Sequence, residues 1–88
     1  MRVLVADDES NVRYALRSLL EERPEYKVVT EAVDAGKLLA QTQAACPDLV
    51  LLDWELPGLA ADDMLITLRG LCPGLWIIVL SGRTEVRV

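Results

Sequence analysis

The sequence predicts an open α/β domain built on a parallel sheet, in the order β-α-β-α-β-α-β. Three observations carry this. Short apolar runs suited to strands recur at Val3 to Ala6, Tyr26 to Thr30, Leu49 to Leu52 and Trp76 to Leu80. Longer stretches between them place apolar residues at helical spacing. Prolines and Pro-Gly pairs (Pro24, Pro47, Pro57-Gly58 and Pro73-Gly74) punctuate the chain between segments. Regular strand-helix alternation puts helices on the faces of a parallel sheet.

Each element follows in turn. Val3 to Ala6 is continuously apolar, as a strand buried on both faces requires. After Asp7 and Asp8, Ser10 is placed to cap a helix whose inner face carries Val12, Leu16, Leu19 and Leu20. Pro24 ends it. Tyr26 to Thr30 is short and β-branched, a second strand. Asp34 can cap a second helix, with Leu38, Leu39 and Ala45 inward, and Pro47 stops it. Leu49 to Leu52 is the most apolar strand. The third helix runs from Ala61 to Arg69, with Met64, Leu65 and Leu68 inside. Asp62 and Asp63 sit near its positive N-terminal end. Trp76 to Leu80 is the fourth strand, with Trp76 read as core; Trp54 reads as packing where the chain leaves strand three.

The chain has 88 residues, which fits one domain over residues 1–88, and 52% hydrophobic residues mark it as globular. Nine basic against 14 acidic residues give a net charge of −5, which argues against direct nucleic-acid binding. The opening MRVLVADDES is not a signal peptide, and no apolar run approaches the ~20 residues that span a membrane. The expectation is a cytoplasmic protein. Cys46 and Cys72 are read as free thiols of a reducing compartment, and without histidine they are too few for a zinc site.

The stretch VLLDWELPG, Val50 to Gly58, ends a buried strand in a carboxylate. Ligands of open parallel sheets bind beyond the carboxyl ends of the strands. Asp7 and Asp8 follow strand one and Asp53 follows strand three. If those strands are neighbours, three carboxylates share one rim and repel each other. A divalent cation relieves that repulsion, and hard oxygen donors favour Mg2+. Any one aspartate alone would be read as a cap or a solvated side chain, as Asp34, Asp62 and Asp63 are. The three together are not.

VLVADDE, PDLVLLDWELPG and IIVLSG, in this order and spacing, resemble the receiver domain of two-component response regulators, over the whole chain. The nearest likeness is to receivers that carry a helix-turn-helix output. The resemblance implies a flavodoxin-like, doubly wound parallel sheet. It implies that Asp53 is the phosphoacceptor for a histidine kinase. It makes Asp7, Asp8, Asp53 and the backbone carbonyl of Glu55 the Mg2+ ligands, and Ser81 the switch hydroxyl. Such a domain is a signalling module rather than an enzyme, with at most self-phosphorylation and self-dephosphorylation.

The sequence departs from that pattern at its end. The receiver pattern has five strands and five helices, so this chain reads as incomplete, lacking the fifth strand and fifth helix. Arg83 to Val88 is read as the start of a fourth helix. The family's phosphoryl-pairing lysine has no match, because Lys27 and Lys37 both precede Asp53. Strand four becomes an apolar sheet edge, which predicts a homodimer or higher oligomer through Trp76 to Leu80. A receiver-derived interaction module that works without phosphorylation is the alternative function. A Mg2+-dependent phosphatase is a poorer fit, since Glu55 stands where such enzymes place a second aspartate.

Overall fold

The computed structural model describes residues 1–80 and residues 86–87. Its elements are β1 (Arg2–Ala6), α1 (Ser10–Glu21), β2 (Lys27–Ala32), α2 (Ala35–Ala45), β3 (Leu49–Asp53), α3 (Ala61–Leu71), β4 (Trp76–Leu80) and β5 (Val86–Arg87). The strands lie in the order β2-β1-β3-β4-β5. The first four are parallel, and β1 sits between β2 and β3. The chain thus winds outward in both directions from β1, the flavodoxin-like arrangement. The switch in strand order opens a crevice at the carboxyl ends of β1 and β3.

The end of the chain corrects one expectation. Val86–Arg87 is not the start of a helix but a two-residue strand, antiparallel to β4 and opposite Val79 and Leu80. An open strand edge offers unpaired N–H and C=O groups, and this segment pairs with part of them. Trp76 to Ile78 have no partner on that side among the described residues.

Alternation along the strands divides the core. Leu4, Ala6, Val50, Leu52, Ile77 and Val79 face α2 and α3, where they pack with Ala35, Leu38, Met64 and Leu68. Val3, Val5, Leu49 and Leu51 face the other way, toward Leu16 and Leu20 of α1. The β1–β2 register slips between Val3 and Leu4: Val3 pairs with Val28, Leu4 with Thr30 and Val5 with Glu31.

Two apolar residues read as core are not. Trp76 is 59% exposed and Leu19 66%. Trp76 shares the α1 side of the sheet with Ile78 and Leu80, while α1 packs mainly on β1 and β2. Leu19 stays outside while Leu16 and Leu20 of the same helix pack on the sheet. Trp54, read as packing, is 45% exposed. Ser10 opens α1 rather than capping it; Glu9 holds the cap position, with no side-chain cap bond. Asp34 caps α2 as expected, accepting the Lys37 N–H at 2.7 Å.

The cysteines correct another expectation. Cys46 and Cys72 are not free thiols; they are joined in a disulfide. Each lies at the C-terminal cap of its helix, Cys46 of α2 and Cys72 of α3. The two helices pack side by side, which brings the Cα atoms to 5.7 Å across 26 residues of sequence. Spacing along the chain carries no sign of that adjacency.

Candidate functional site

The site is built by the register of two strands. Val5 pairs with Leu51 and Ala6 with Leu52, so one step further Asp7 comes opposite Asp53. The Asp7 N–H donates to the Ala32 carbonyl at 3.0 Å, and the Trp54 N–H to the Leu80 carbonyl at 2.9 Å. Both aspartates therefore sit on backbone still held by the sheet. Asp8 joins them from the next position in the β1–α1 loop. Donor oxygens of Asp7, Asp8 and Asp53 all lie within 4.8 Å of one another. The three residues grade from buried Asp7 through half-buried Asp53 to exposed Asp8.

Two of the carboxylates are aimed by matching local turns. The Glu9 N–H donates to Asp7 Oδ1 at 2.9 Å, and the Glu55 N–H to Asp53 Oδ1 at 2.9 Å. In each case the residue two positions on fixes one oxygen and leaves the second available. Burial pushes the Asp7 carboxyl above its ordinary value of 3.8, against the pull of the Glu9 N–H. The charges of Asp53, Asp8 and Glu9 push the same way as burial. Clustered anionic oxygens at this spacing fit a hard divalent cation, and nothing else among the described residues nearby neutralises them.

Sequence reasoning missed the residues that hold this rim. Arg13 Nη1 donates to the Asp7 carbonyl at 2.9 Å, and Arg13 Nε to Glu31 Oε1 at 2.9 Å. Arg17 also donates to Glu31, through Nε at 3.0 Å and through Nη2. The i, i+4 spacing of Arg13 and Arg17 puts both on one face of α1, but nothing local marks Glu31 as their partner. On the other side, the Ala35 N–H donates to the Pro57 carbonyl at 2.9 Å, tying the loop after Asp53 to the start of α2. Gly58 in that loop has φ +79°, a conformation that L side chains rarely adopt. Ser81, the expected switch hydroxyl, lies outside the described residues, as does Arg83.

A parallel sheet wound outward from β1, with an aspartate triad at its switch point, defines a phosphoryl-accepting α/β signalling domain. The sequence pattern of the response regulator receiver domain matches residues 3–88, and the chain belongs to that family. Among curated relatives, a protein-glutamate methylesterase/protein-glutamine glutaminase of Geobacter sulfurreducens is 40% identical over 97% of this chain and 24% of its own length. The transcriptional activator protein ExaE of Pseudomonas putida is 33% identical over 98% of this chain and 40% of its own. The chain thus spans well under half of either. A LuxR-family response regulator from Aurantimonas superposes with a TM-score of 0.84 at 32% identity, covering 96% of this chain and 60% of that one. The response regulator domain of Thermotoga maritima CheB also gives 0.84, at 29% identity, covering 97% and 63%. Likeness therefore extends to a methylesterase/glutaminase and to a transcriptional activator alike. No helix among the described residues is long and apolar enough to cross a membrane.

Proposed function

We propose that the 88 residues act as one receiver unit in which Asp53 is the phosphoacceptor. Its free carboxylate oxygen attacks the phosphorus of a phosphohistidine on a histidine kinase. The P–N bond breaks, the imidazole leaves and takes up a proton, and Asp53 becomes an acyl phosphate. Asp7, Asp8, Asp53 and the Glu55 carbonyl hold Mg2+, which supplies positive charge against the phosphoryl oxygens. The Glu55 N–H orients Asp53 for attack, and Arg13 steadies the loop that carries Asp7 and Asp8. Ser81 then donates its hydroxyl to the new phosphoryl group. The output is signalling; the domain turns over no external substrate beyond loss of its own phosphate.

One observation carries this reading: the 4.8 Å convergence of the three aspartates on the open side of β1 and β3. Intact mass after incubation with acetyl phosphate and Mg2+ tests it. One phosphoryl adduct is expected on the wild type and none on Asp53→Asn. A folded wild type that gains no adduct overturns it.

We also read the β4 edge, Trp76 to Leu80, as a contact for a second copy. Exposed Trp76 beside half-buried Ile78 and Leu80 leaves an apolar stripe uncovered by α1. Because β5 pairs with Val79 and Leu80, the open length is Trp76 to Ile78. Light scattering at micromolar concentration should give twice the chain mass, and Trp76→Glu should halve it. A wild-type monomer would sink the idea.

A further inference from the structure

Cys46 and Cys72 lie at the rim opposite the aspartates. The Cys46 carbonyl accepts from Arg2 Nη1 at 3.0 Å, at the amino end of β1. We propose that the two cysteines are a reversible thiol–disulfide pair, a redox-set clamp between α2 and α3. The reading does not rest on phosphorylation.

Four features support it. First, the Cα separation of 5.7 Å lets the sulfurs bond with the helices where the core places them. Second, Cys46 adopts φ +41°, a left-handed helix cap where glycine or asparagine is at ease. Third, the reduced state is also provided for. The Thr42 carbonyl lies 3.5 Å from Cys72 Sγ, within reach of a thiol S–H, while it also accepts the Cys46 N–H at 2.8 Å. Opening the bond therefore leaves buried Cys72 with an acceptor. Fourth, access is one-sided: Cys46 is exposed and Cys72 is 3% exposed.

The exchange is that of glutathione-class thiols. A thiolate attacks Cys46 Sγ, and the S–S bond breaks. Cys72 leaves as a thiolate and takes a proton from water. A second small thiol then displaces the first from Cys46, so two protein thiols and one small-molecule disulfide result. Oxidised glutathione runs the sequence backwards. At the other end, the Ala35 N–H still ties the start of α2 to the Pro57 carbonyl, in the loop that leads to α3. Their shared core against β1, β3 and β4 also remains. Reduction thus loosens one end of the α2–α3 layer without dismantling it.

The test equilibrates the full chain in glutathione buffers of graded redox ratio. Alkylation with mass readout counts free thiols, and melting is followed in the same samples. Both thiols should appear together across a single transition, within one chain. The melting temperature should fall by roughly 15–30 °C on reduction, as closure of a loop of this length implies. Cys46→Ser should melt at one temperature in either buffer. Should that variant not fold, Cys46→Gly relieves the left-handed cap and serves in its place. Two alkylated thiols in a folded protein under oxidising buffer would overturn the proposal. So would chain-to-chain disulfides, or a wild-type melting temperature that ignores the reductant.

Discussion

Arg13 Nε and Glu31 Oε1 lie 2.9 Å apart, joining the first helix to the end of the second strand. The same guanidinium holds the Asp7 carbonyl, so one side chain fixes both the helix and the loop entering the acidic rim. Both partners are largely shielded, with side-chain exposures of 18% and 30%. Arg13→Gln should therefore cost more than an open surface pair, about 1.5–3 kcal/mol, as for hydrogen bonds to charged groups. Urea unfolding checks this. A change within 0.5 kcal/mol would mean that the contacts are incidental.

Acid should act on this domain through two carboxyls of opposite sign. Burial raises Glu31, but hydrogen bonds and charge from Arg17 and Arg13 outweigh it and hold the carboxyl below 4.5. Its contribution is present above pH 4.5 and is lost as pH falls through the lower folded value. Asp7 is raised above 3.8 by burial, with Asp53 and Asp8 adding to it. Folding favours its neutral form more than the unfolded chain does, so that contribution is full below pH 3.8 and is lost as pH rises through the folded value. Melting temperature against pH in chelator should show Glu31→Gln flattening the acid limb. Asp7→Asn should raise stability at neutral pH.

On the proposed reading, Mg2+ alone should stabilise the fold, by relieving the repulsion among three converging carboxylates. At 100 times its dissociation constant a ligand adds ~2.7 kcal/mol, roughly 10–20 °C for a domain of this size. Asp53→Asn should melt higher than wild type in chelator and respond less to Mg2+. Calorimetry in both buffers decides it. A variant less stable than wild type in chelator would mean that repulsion is not the governing term.

Gly58→Ala should destabilise by about 1–2 kcal/mol through its φ of +79°. A Cβ there would sit 3.4 Å from Ala35 Cβ, close to ordinary contact, so backbone strain and not crowding sets the loss. Gly58→Asn should recover part of it, since asparagine tolerates this conformation. Equal losses in both variants would point to sterics instead.

Periodicity carried the four parallel strands and three helices, because buried strands and amphipathic helices write their burial into the chain. The aspartate rim was legible for the same reason: a run as apolar as Leu49 to Leu52 has no packing use for Asp53. What was not legible depends on which elements end up adjacent. The disulfide needs two helix ends to meet, and nothing local to Cys46 or Cys72 says so. Trp76 reads as core until the reach of α1 is known. Leu19 fits the helical stripe, yet Leu16 and Leu20 take the contact with the sheet and leave it outside. Those two arginines were invisible as site residues because their partner sits on another strand.

The register slip beside Val29 decides which way Glu31 points. Val28 and Glu31 both face α1, three positions apart where an unbroken strand would repeat every two. Ala32, next along, joins the opposite core. Were β2 to run on without the slip and with every residue kept, Glu31 would fall opposite Ala6, on the side of Leu4 and Leu38. A carboxylate would then be stranded in hydrocarbon while Arg13 and Arg17 lost their anchor. Loss of the slip with no residue removed, well away from Asp53, would thus unfasten the loop beneath Asp7 and Asp8 while every aspartate of the site stayed in place in the sequence.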